Sequence, residues 1–372
     1  MRTRQFLFTC TAFLLSALLL WAPMSGAFAS GEWLMFTTKN VPEEQGFLVQ
    51  DYTGTVRITF LGDCTLGSET KTVGAYRGFV RTIERNGYGW PFRNLNVLTA
   101  ADDLTVANLE GVLSDRKLEK VRKDYNFMGS TAYTEILKLG SVECVTLANN
   151  HTHDYDKAGY EDTKQALDDA GIAYFGTDRM AVWRNGDGLM IGFLGVYGSV
   201  FGNRGKDYER RAEILRSFGC AAVITVMHAG TEYRAAPSAN QNGIADRAFA
   251  CGSDLVIGHH PHIVQGYDVR NGVPVVYSLG NCVFGGNLNP PDHDALAVRA
   301  ELAFEEGELV GITLRFYPIS VSGEADWNDY SPVLLTGADA QRVLKKMEDS
   351  TGVSPGTFDG NGTAAVTVPA GK

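Results

Sequence analysis

The residues best suited to chemistry crowd into one short stretch, Asp254-Leu-Val-Ile-Gly-His-His-Pro-His262. Its apolar start, residues 255–257, has the length and type of a buried strand end, and it breaks at Gly258. Three histidines then follow within four residues, in a turn stiffened by Pro261. His260 and His262 flank that proline, so one rigid loop can aim both imidazoles at a common point. Neutral imidazole is the commonest metal ligand in proteins, and a pre-shaped loop loses little entropy when a cation arrives.

The other histidines point the same way. All seven (His151, His153, His228, His259, His260, His262 and His293) lie between residues 151 and 293. His151 stands in Ala148-Asn-Asn-His-Thr-His-Asp154 and His228 in Val226-Met-His-Ala-Gly230, each after an apolar β-type run, residues 142–147 and 221–227. A solvated, histidine-rich loop would account for one cluster. It does not account for histidines recurring at strand ends, because histidine has no special role in turns.

Carboxylates and amides occupy matching places. Residues 56–61 alternate with period two and end in Gly62-Asp63, which offers Asp63 at the carboxyl end of a strand, where α/β sheets gather ligand-binding groups. A turn-forming role for that aspartate is the plainer alternative. Residues 103–107 form a second strand ending in Asn108-Leu-Glu110. Two apart in an extended segment, Asn108 and Glu110 point the same way. A carboxylate beside an amide oxygen suits a hard or borderline divalent ion. Residues 273–277 lead into Ser278-Leu-Gly-Asn281. Six apolar runs thus terminate in Gly-Asp, Asn-x-Glu, Asn-Asn-His, His-x-Gly, His-x-His and Gly-Asn.

Those ends need a sheet to bring them together. Helical patterns over residues 159–170, 207–217, 241–251 and part of 74–100 alternate with the strands, and further strands are expected at 172–175 and 189–196. The alternation predicts right-handed crossovers and an α/β arrangement. Beyond residue 294 the pattern changes to two alternating segments, 295–304 and 309–317, joined by Glu305-Glu-Gly-Glu308, which reads as a β-hairpin closing the fold with antiparallel strands. Residues 114–127 carry Lys117, Lys120, Arg122 and Lys123 among acids, and read as a solvated loop or a guide for an anionic substrate. There is no internal repeat.

The bulk composition bounds the reading. A chain of 372 residues, 44% hydrophobic and 20% charged, suits one domain with extras, here drawn at 55–340. A net charge of −10 argues against a nucleic-acid binder held by phosphate contacts. Arg2 and Arg4, the apolar run 6–22 and Ala27-Phe-Ala29 make residues 1–29 an export signal, either cleaved or kept as a membrane anchor. Either way the body is expected outside the cytoplasm, extracellular or in the cell envelope. Residues 30–54 read as a leader, and 341–372 as a helix end followed by a flexible tail from about residue 350. Outside the signal, Cys64, Cys144, Cys220, Cys251 and Cys282 form no C-x-x-C pair and are expected as buried free thiols, with one disulfide left open.

With those residues in hand, the chain resembles the CapA-type poly-gamma-glutamate capsule synthesis family, itself related to the calcineurin-like metallophosphoesterases. The resemblance rests on Phe60-Leu-Gly-Asp63, Asn108-Leu-Glu110, Ala148-Asn-Asn-His151 with Asp154, Gly159 and Thr163, and His228-x-Gly230 with Glu232-Tyr233. It continues through Pro237, Gln241, Gly258-His-His-Pro-His262 with Gln265, and Tyr277-Ser-Leu-Gly-Asn281, covering roughly residues 55–290. It implies a four-layer α/β sandwich of two β-sheets flanked by helices. It also implies metal ligands at Asp63, Asn150, His228, His260 and His262, with Glu110 as ligand or bridge, and a divalent ion (Mn, Zn, Fe or Mg). His151 resembles the histidine that acts as general acid or stabilises developing charge, and His228 shares the proton-moving role. Asn108, Asp154, Glu232, His259, Gln265 and Asn281 are expected around the substrate. Three departures stand out: Thr65 occupies the place of the histidine in the metallophosphoesterase Asp-x-His, Ala229 replaces a bulky aromatic, and Cys282 replaces a phenylalanine. The first thins one of two metal positions. The expected function is a metal-dependent hydrolase or transferase in making an anionic surface polymer such as poly-gamma-glutamate, or acting on a phosphoester, alongside membrane-bound capsule synthesis proteins. A non-catalytic, metal-containing polymer-binding or export partner is the alternative.

Overall fold

The computed structural model describes residues 31–43, 51–360 and 362–370. The expected export segment lies outside them. Two sheets carry the fold. The first has seven strands in the spatial order Gly31–Phe36, Met180–Asn185, Met190–Tyr197, Ala222–His228, Leu255–His259, Val273–Leu279 and Val264–Arg270. The four from Met190–Tyr197 to Val273–Leu279 are parallel to one another; Met180–Asn185 and Val264–Arg270 run antiparallel to them, and Gly31–Phe36 pairs antiparallel with Met180–Asn185. The parallel strands are buried almost end to end, which is why they read as continuous apolar runs rather than alternating ones.

The second sheet is also mixed. Gly54–Thr65, Leu104–Leu109, Cys144–Thr146 and Ala173–Phe175 are parallel, and the hairpin Asp294–Glu305/Glu308–Ser320 joins antiparallel beside Gly54–Thr65. The sheets face each other across a core that includes Phe60, Val106, Phe193, Ile224, Ile257, Val298 and Leu314. Helices Phe79–Asn86, Thr134–Leu139 and Asp156–Ala170 cover the outside of the second sheet through Ile83, Ile136 and Leu167. Helices Gly198–Ser217 and Ala239–Ala250 cover the outside of the first through Leu215 and Ile244. The result is the expected four-layer α/β sandwich.

One crossover stitches the sheets together beside the polar strand ends. The chain leaves the first sheet at Leu279, turns through Gly280 (φ 70°), and enters the second as Asn281–Phe284, parallel to Gly54–Thr65 with Asn281 opposite Asp63. The Asp63 amide donates to the Gly280 carbonyl at 3.0 Å. Gly62 is required there, since a Cβ would sit 2.3 Å from that same oxygen.

Several boundaries differ from expectation. The stretch read as a tail contains a strand, Ala364–Pro369, paired with Glu308–Ser320, with Ala364 and Val368 buried. Its Gly- and Thr-rich surroundings hid a short alternating segment that needed only an open sheet edge. The leader likewise supplies an edge strand, Gly31–Phe36, paired with Met180–Asn185. Strands Met180–Asn185 and Val264–Arg270 were not anticipated, and helix Asp156–Ala170 starts earlier than the periodicity suggested. All five cysteines among the described residues are free, four of them buried. Among the described residues no helix is long and apolar enough to cross a membrane.

Candidate metal centre

Both sheets present the carboxyl ends of their parallel strands at the stitched end, and the polar residues meet there. Asp63 is fully buried at the end of Gly54–Thr65. Its Oδ1 accepts from Asn108 Nδ2 at 2.8 Å and lies 3.3 Å from His259 Nδ1, while Oδ2 lies 3.3 Å from His262 Nδ1. The His260 backbone amide also donates to Oδ2, at 3.3 Å. Burial opposes ionisation of Asp63, but the imidazole contacts from His259 and His262 outweigh it and hold the carboxyl well below its usual range.

The histidine turn has a backbone that few sequences tolerate. His260 and His262 have φ of 101° and 57°, on either side of Pro261, and their rings stand 6.1 Å apart. Gly258 lets the strand approach its neighbour, for a Cβ would lie 2.0 Å from the Tyr277 carbonyl oxygen. His262 Nδ1 is 2.9 Å from Asn281 Oδ1. Burial would lower the affinity of His262 for a proton, but Glu110 and Asp63 reverse this and push it up to about 10.

Asn108 works as an internal brace. Its amide nitrogen donates to Asp63 Oδ1 and reaches His228 Nδ1 at 3.2 Å, and its oxygen accepts from Asn149 Nδ2 at 3.0 Å. The other nitrogen of His228, Nε2, is 2.7 Å from Asn150 Oδ1. A single tautomer satisfies both contacts, with Nε2 protonated and donating to Asn150 and Nδ1 accepting from Asn108. Burial and neighbouring His260 push the His228 proton affinity well below normal, so its ring is neutral.

Glu110 is the unpaired member. It is fully buried, and neither carboxyl oxygen has a hydrogen-bond partner. His228 Nε2 lies 3.5 Å from its Oε1 and His151 Nε2 3.9 Å. Burial and the nearby Asp63 charge raise its carboxyl well above the ordinary range. Buried polar atoms are almost always satisfied in native folds, so an orphaned carboxylate at the centre of a ring of imidazoles calls for a missing partner. Three groups of ligand atoms, each within 4.8 Å of one another, could share a cation: Glu110, His228 and His260; Asp63, Glu110 and His262; and Glu232, His260 and His262. Nitrogen and carboxylate oxygen in this mixture suit a borderline divalent metal.

His151 stands to one side with a built-in orientation. His151 Nδ1 lies 2.8 Å from Asp154 Oδ2 and 3.1 Å from Lys123 Nζ; the shorter contact, to a carboxylate that can only accept, assigns the proton to Nδ1. Nε2 is left facing Glu110. Phe127 packs against the ring, centroids 4.3 Å apart, and its amide donates to Asp154 Oδ2 at 2.6 Å. Lys123 closes the group by pairing with Asp154 and donating to the Asn150 carbonyl at 2.9 Å. Burial lowers the proton affinity of His151, leaving its Nε2 lone pair available.

Of the residues singled out in the sequence, Asp63, Asn108, Glu110, Asn150, His151, His228, His259, His260, His262 and Asn281 come together here, with Glu232 at the exposed rim. Asp154 and Gln265 stand behind them. Asp154 is fully buried and spent on His151, Lys123 and the Phe127 amide. Gln265 is buried beneath the 231–237 loop, where it donates to the carbonyls of Arg234 (2.8 Å) and Ala236 (3.3 Å) and accepts from Gln241 (2.7 Å). His153 packs edge-on against Tyr160 instead, and the His293 carbonyl accepts from the Val321 amide. Two contributors escaped the sequence reading. Asn149 was legible in principle as half of the Asn-Asn doublet, whereas Lys123 sits in a basic loop that gives no hint of an inward-turned side chain.

The bacterial capsule synthesis protein family PGA_cap matches residues 57–286, well over half of the chain and every residue of the centre. The chain belongs to this family. Among curated relatives, a capsule biosynthesis protein CapA of Bacillus anthracis is 26% identical over 252 residues, covering 61% of this chain and 59% of the relative. A PGA biosynthesis protein CapA of Bacillus subtilis (strain 168) is 28% identical over 246 residues, covering 61% of this chain and 62% of the relative. The chain thus spans about three fifths of the length of these relatives. The family assignment explains why the strand-end motifs occur in one ordered set.

Proposed function

We propose that the protein is an exported, metal-dependent hydrolase or transferase acting on an anionic surface polymer, poly-gamma-glutamate or a phosphoester, in capsule biosynthesis. The observation that carries this reading is Glu110, a buried carboxylate with two unpartnered oxygens inside a ring of imidazoles. Asp63, Glu110, His228, His260 and His262, with Asn150, would hold a divalent cation such as Mn, Zn, Fe or Mg. When bound, such an ion polarises a substrate oxygen and lowers the pKa of bound water. The chain supplies the rest. His151, fixed by Asp154, offers Nε2 to accept or deliver a proton beside Glu110. Both nitrogens of the His228 ring are taken by Asn108 and Asn150, so it would join a cation through Nε2 only by giving up its proton and the Asn150 contact. Lys117, Lys120 and Arg122, exposed on the loop that leads to Lys123, would give an acidic protein local positive charge toward a polyanion. The names of the relatives support the polymer pathway; membrane-bound synthesis proteins would be its partners there. Residues 1–29 would place the body in the envelope or outside it.

The test is turnover of poly-gamma-glutamate and of a generic phosphodiester by metal-reconstituted protein. We expect hydrolysis of one of them, lost in His260→Ala. The alternative role as a non-catalytic polymer-binding partner draws on Thr65, which stands at the place of a metallophosphoesterase histidine with its buried hydroxyl unpartnered. Protein that retains metal and polymer yet turns over neither substrate decides for that alternative.

A further inference from the structure

Two tyrosines frame the mouth of the centre, one on each wall. Tyr125 lies on the loop of residues 114–127, between Lys123, which pairs with Asp154, and Phe127, whose ring packs on His151. Tyr233 lies on the loop of residues 229–237, its ring centroid 6.1 Å from that of His262. Glu110 stands between the walls, 3.9 Å from His151 Nε2 and with an oxygen within 4.8 Å of a His262 nitrogen. Both side chains are left open to solvent, 54% exposed for Tyr125 and 49% for Tyr233. One exposed aromatic needs no explanation, but two held on opposite sides of a single opening do.

Both are held rather than loose. The Tyr233 amide donates to the Pro261 carbonyl at 2.8 Å, Gln265 binds the carbonyls of Arg234 and Ala236, and Ser350 Oγ donates to the Ala235 carbonyl at 2.7 Å. Those bonds keep Tyr233 at a left-handed φ of 57°, a conformation that a bulky residue holds only where its surroundings enforce it. Tyr125 is braced by the Lys71 ammonium, 5.1 Å from its ring centroid, and Lys71 in turn pairs with Glu69 at 2.6 Å. Burial pushes the Tyr233 phenol above its ordinary range, with Glu232, Tyr125 and Glu110 near enough to add to the shift, so it stays a neutral hydrogen-bond donor. Next to it Arg234 is exposed, and among the described residues no carboxylate pairs with that guanidinium.

We propose that Tyr125, Tyr233 and Arg234 form a chain-binding subsite that seats an extended polycarboxylate across the mouth, apart from the groups that would hold the ion. The inference rests on the reading of the protein as one that acts on an anionic polymer, and it names the side chains that grip that polymer. Each part suits such a chain. The guanidinium fork of Arg234 matches a carboxylate with two parallel hydrogen bonds and, being unpaired, gives up no partner to make them. The tyrosine faces cover the methylene stretches between carboxylates, and the Tyr233 hydroxyl donates to an amide or carboxylate oxygen. Jaws on opposite walls make a chain cross between them, which carries its backbone past Glu110 and His151.

The experiment uses the full chain supplied with Mn²⁺ and fluorescein-labelled poly-gamma-glutamate, with binding read by fluorescence anisotropy. The wild type should bind. Tyr125→Ala and Tyr233→Ala should each weaken binding about fivefold, and Arg234→Gln about tenfold with a shallower dependence on salt. Mn²⁺ uptake, measured by calorimetry, and circular dichroism should match the wild type in all three variants, since these side chains are exposed. No binding by the wild type, equal affinity in the variants, or equal capture of labelled neutral dextran overturns the subsite and leaves the metal-dependent reading standing. A variant that loses Mn²⁺ together with polymer assigns its residue to the support of the ion and removes it from the subsite. Polymer binding lost in the variants of a protein that takes up no Mn²⁺ upholds the subsite and overturns the metal-dependent reading.

Discussion

Replacing Glu110 by methionine should stabilise the metal-free protein and abolish its response to cations. In the folded chain both carboxyl oxygens are buried without a hydrogen-bond partner, in a group that also contains Asp63. Each orphaned polar atom costs roughly 1–3 kcal/mol. Methionine is unbranched like glutamate, and its thioether requires no hydrogen bond. Imperfect fit of the larger side chain subtracts about 1–2 kcal/mol. A net gain of roughly 2 kcal/mol remains, equivalent to a rise of about 3 °C in Tm for a domain of this size. The wild type should behave in the opposite way. A cation at about a hundred times its dissociation constant adds about 2.7 kcal/mol to the native state, or roughly 4 °C. Thermal unfolding after exhaustive chelation, then across a Mn²⁺ series, reads both effects. The curves should cross: Glu110→Met melts higher without metal and does not move, while the wild type starts lower and climbs past it. A variant that melts below the chelated wild type and still climbs with Mn²⁺ would falsify the role assigned to Glu110.

Three other perturbations follow from the same contacts. Burial pushes the Glu143 carboxyl up to about 8, against the bond it accepts from the Thr105 amide at 2.8 Å. An acid raised on folding contributes stability below its unfolded pKa and loses it as pH climbs through the folded one. Wild-type Tm should therefore decline between pH 5 and 8 relative to Glu143→Gln, which keeps the acceptor, and parallel pH profiles would contradict this. Gly258→Ala forces a Cβ to within 2.0 Å of the Tyr277 carbonyl oxygen, so the strand behind the histidine turn must shift. A loss of about 3 kcal/mol is expected in denaturant unfolding, and an unchanged midpoint would show that the strands have slack. Lys123→Met leaves the buried Asp154 carboxylate without its cation. Because the lysine is partly exposed, the expected loss is about 2 kcal/mol rather than the full cost of a broken buried pair. Metal uptake should be unchanged, and loss of a metal equivalent would move Lys123 from the support of His151 to the support of the ligands.

The core of the architecture was legible because parallel strands buried on both faces announce themselves as apolar runs, and because their polar terminators had nothing else in common. Asp63, Glu110, His228 and the histidine turn were each visible as a strand end. Their convergence could be expected only because sheets of this class gather ligand groups at the carboxyl edge. The stitching through Gly280 and Asn281 was not visible. It depends on a chain that changes sheets within two residues, and Ser-Leu-Gly-Asn carries no mark of that. Ala364–Pro369 and Gly31–Phe36 were missed for another reason. A strand added at or beside a sheet edge borrows its hydrogen bonding from a neighbour already in place, so a short alternating segment suffices, and composition outvoted it. Asp154 and Gln265 read as substrate residues because polar types near a motif look alike in sequence. In the fold one orients His151 and the other anchors a loop. Lys123 shows the converse, a residue from a basic, largely solvent-facing loop turned inward by the ion pair it makes with Asp154.

The most direct test of the account is an anomalous-difference map from a crystal of the protein soaked in Mn²⁺ and measured above the manganese edge. The account predicts a peak enclosed by Asp63, Glu110, His228, His260 and His262, with the Glu110 carboxylate among its ligands. A map with no peak there, or one whose only peaks lie on surface carboxylates, would contradict it.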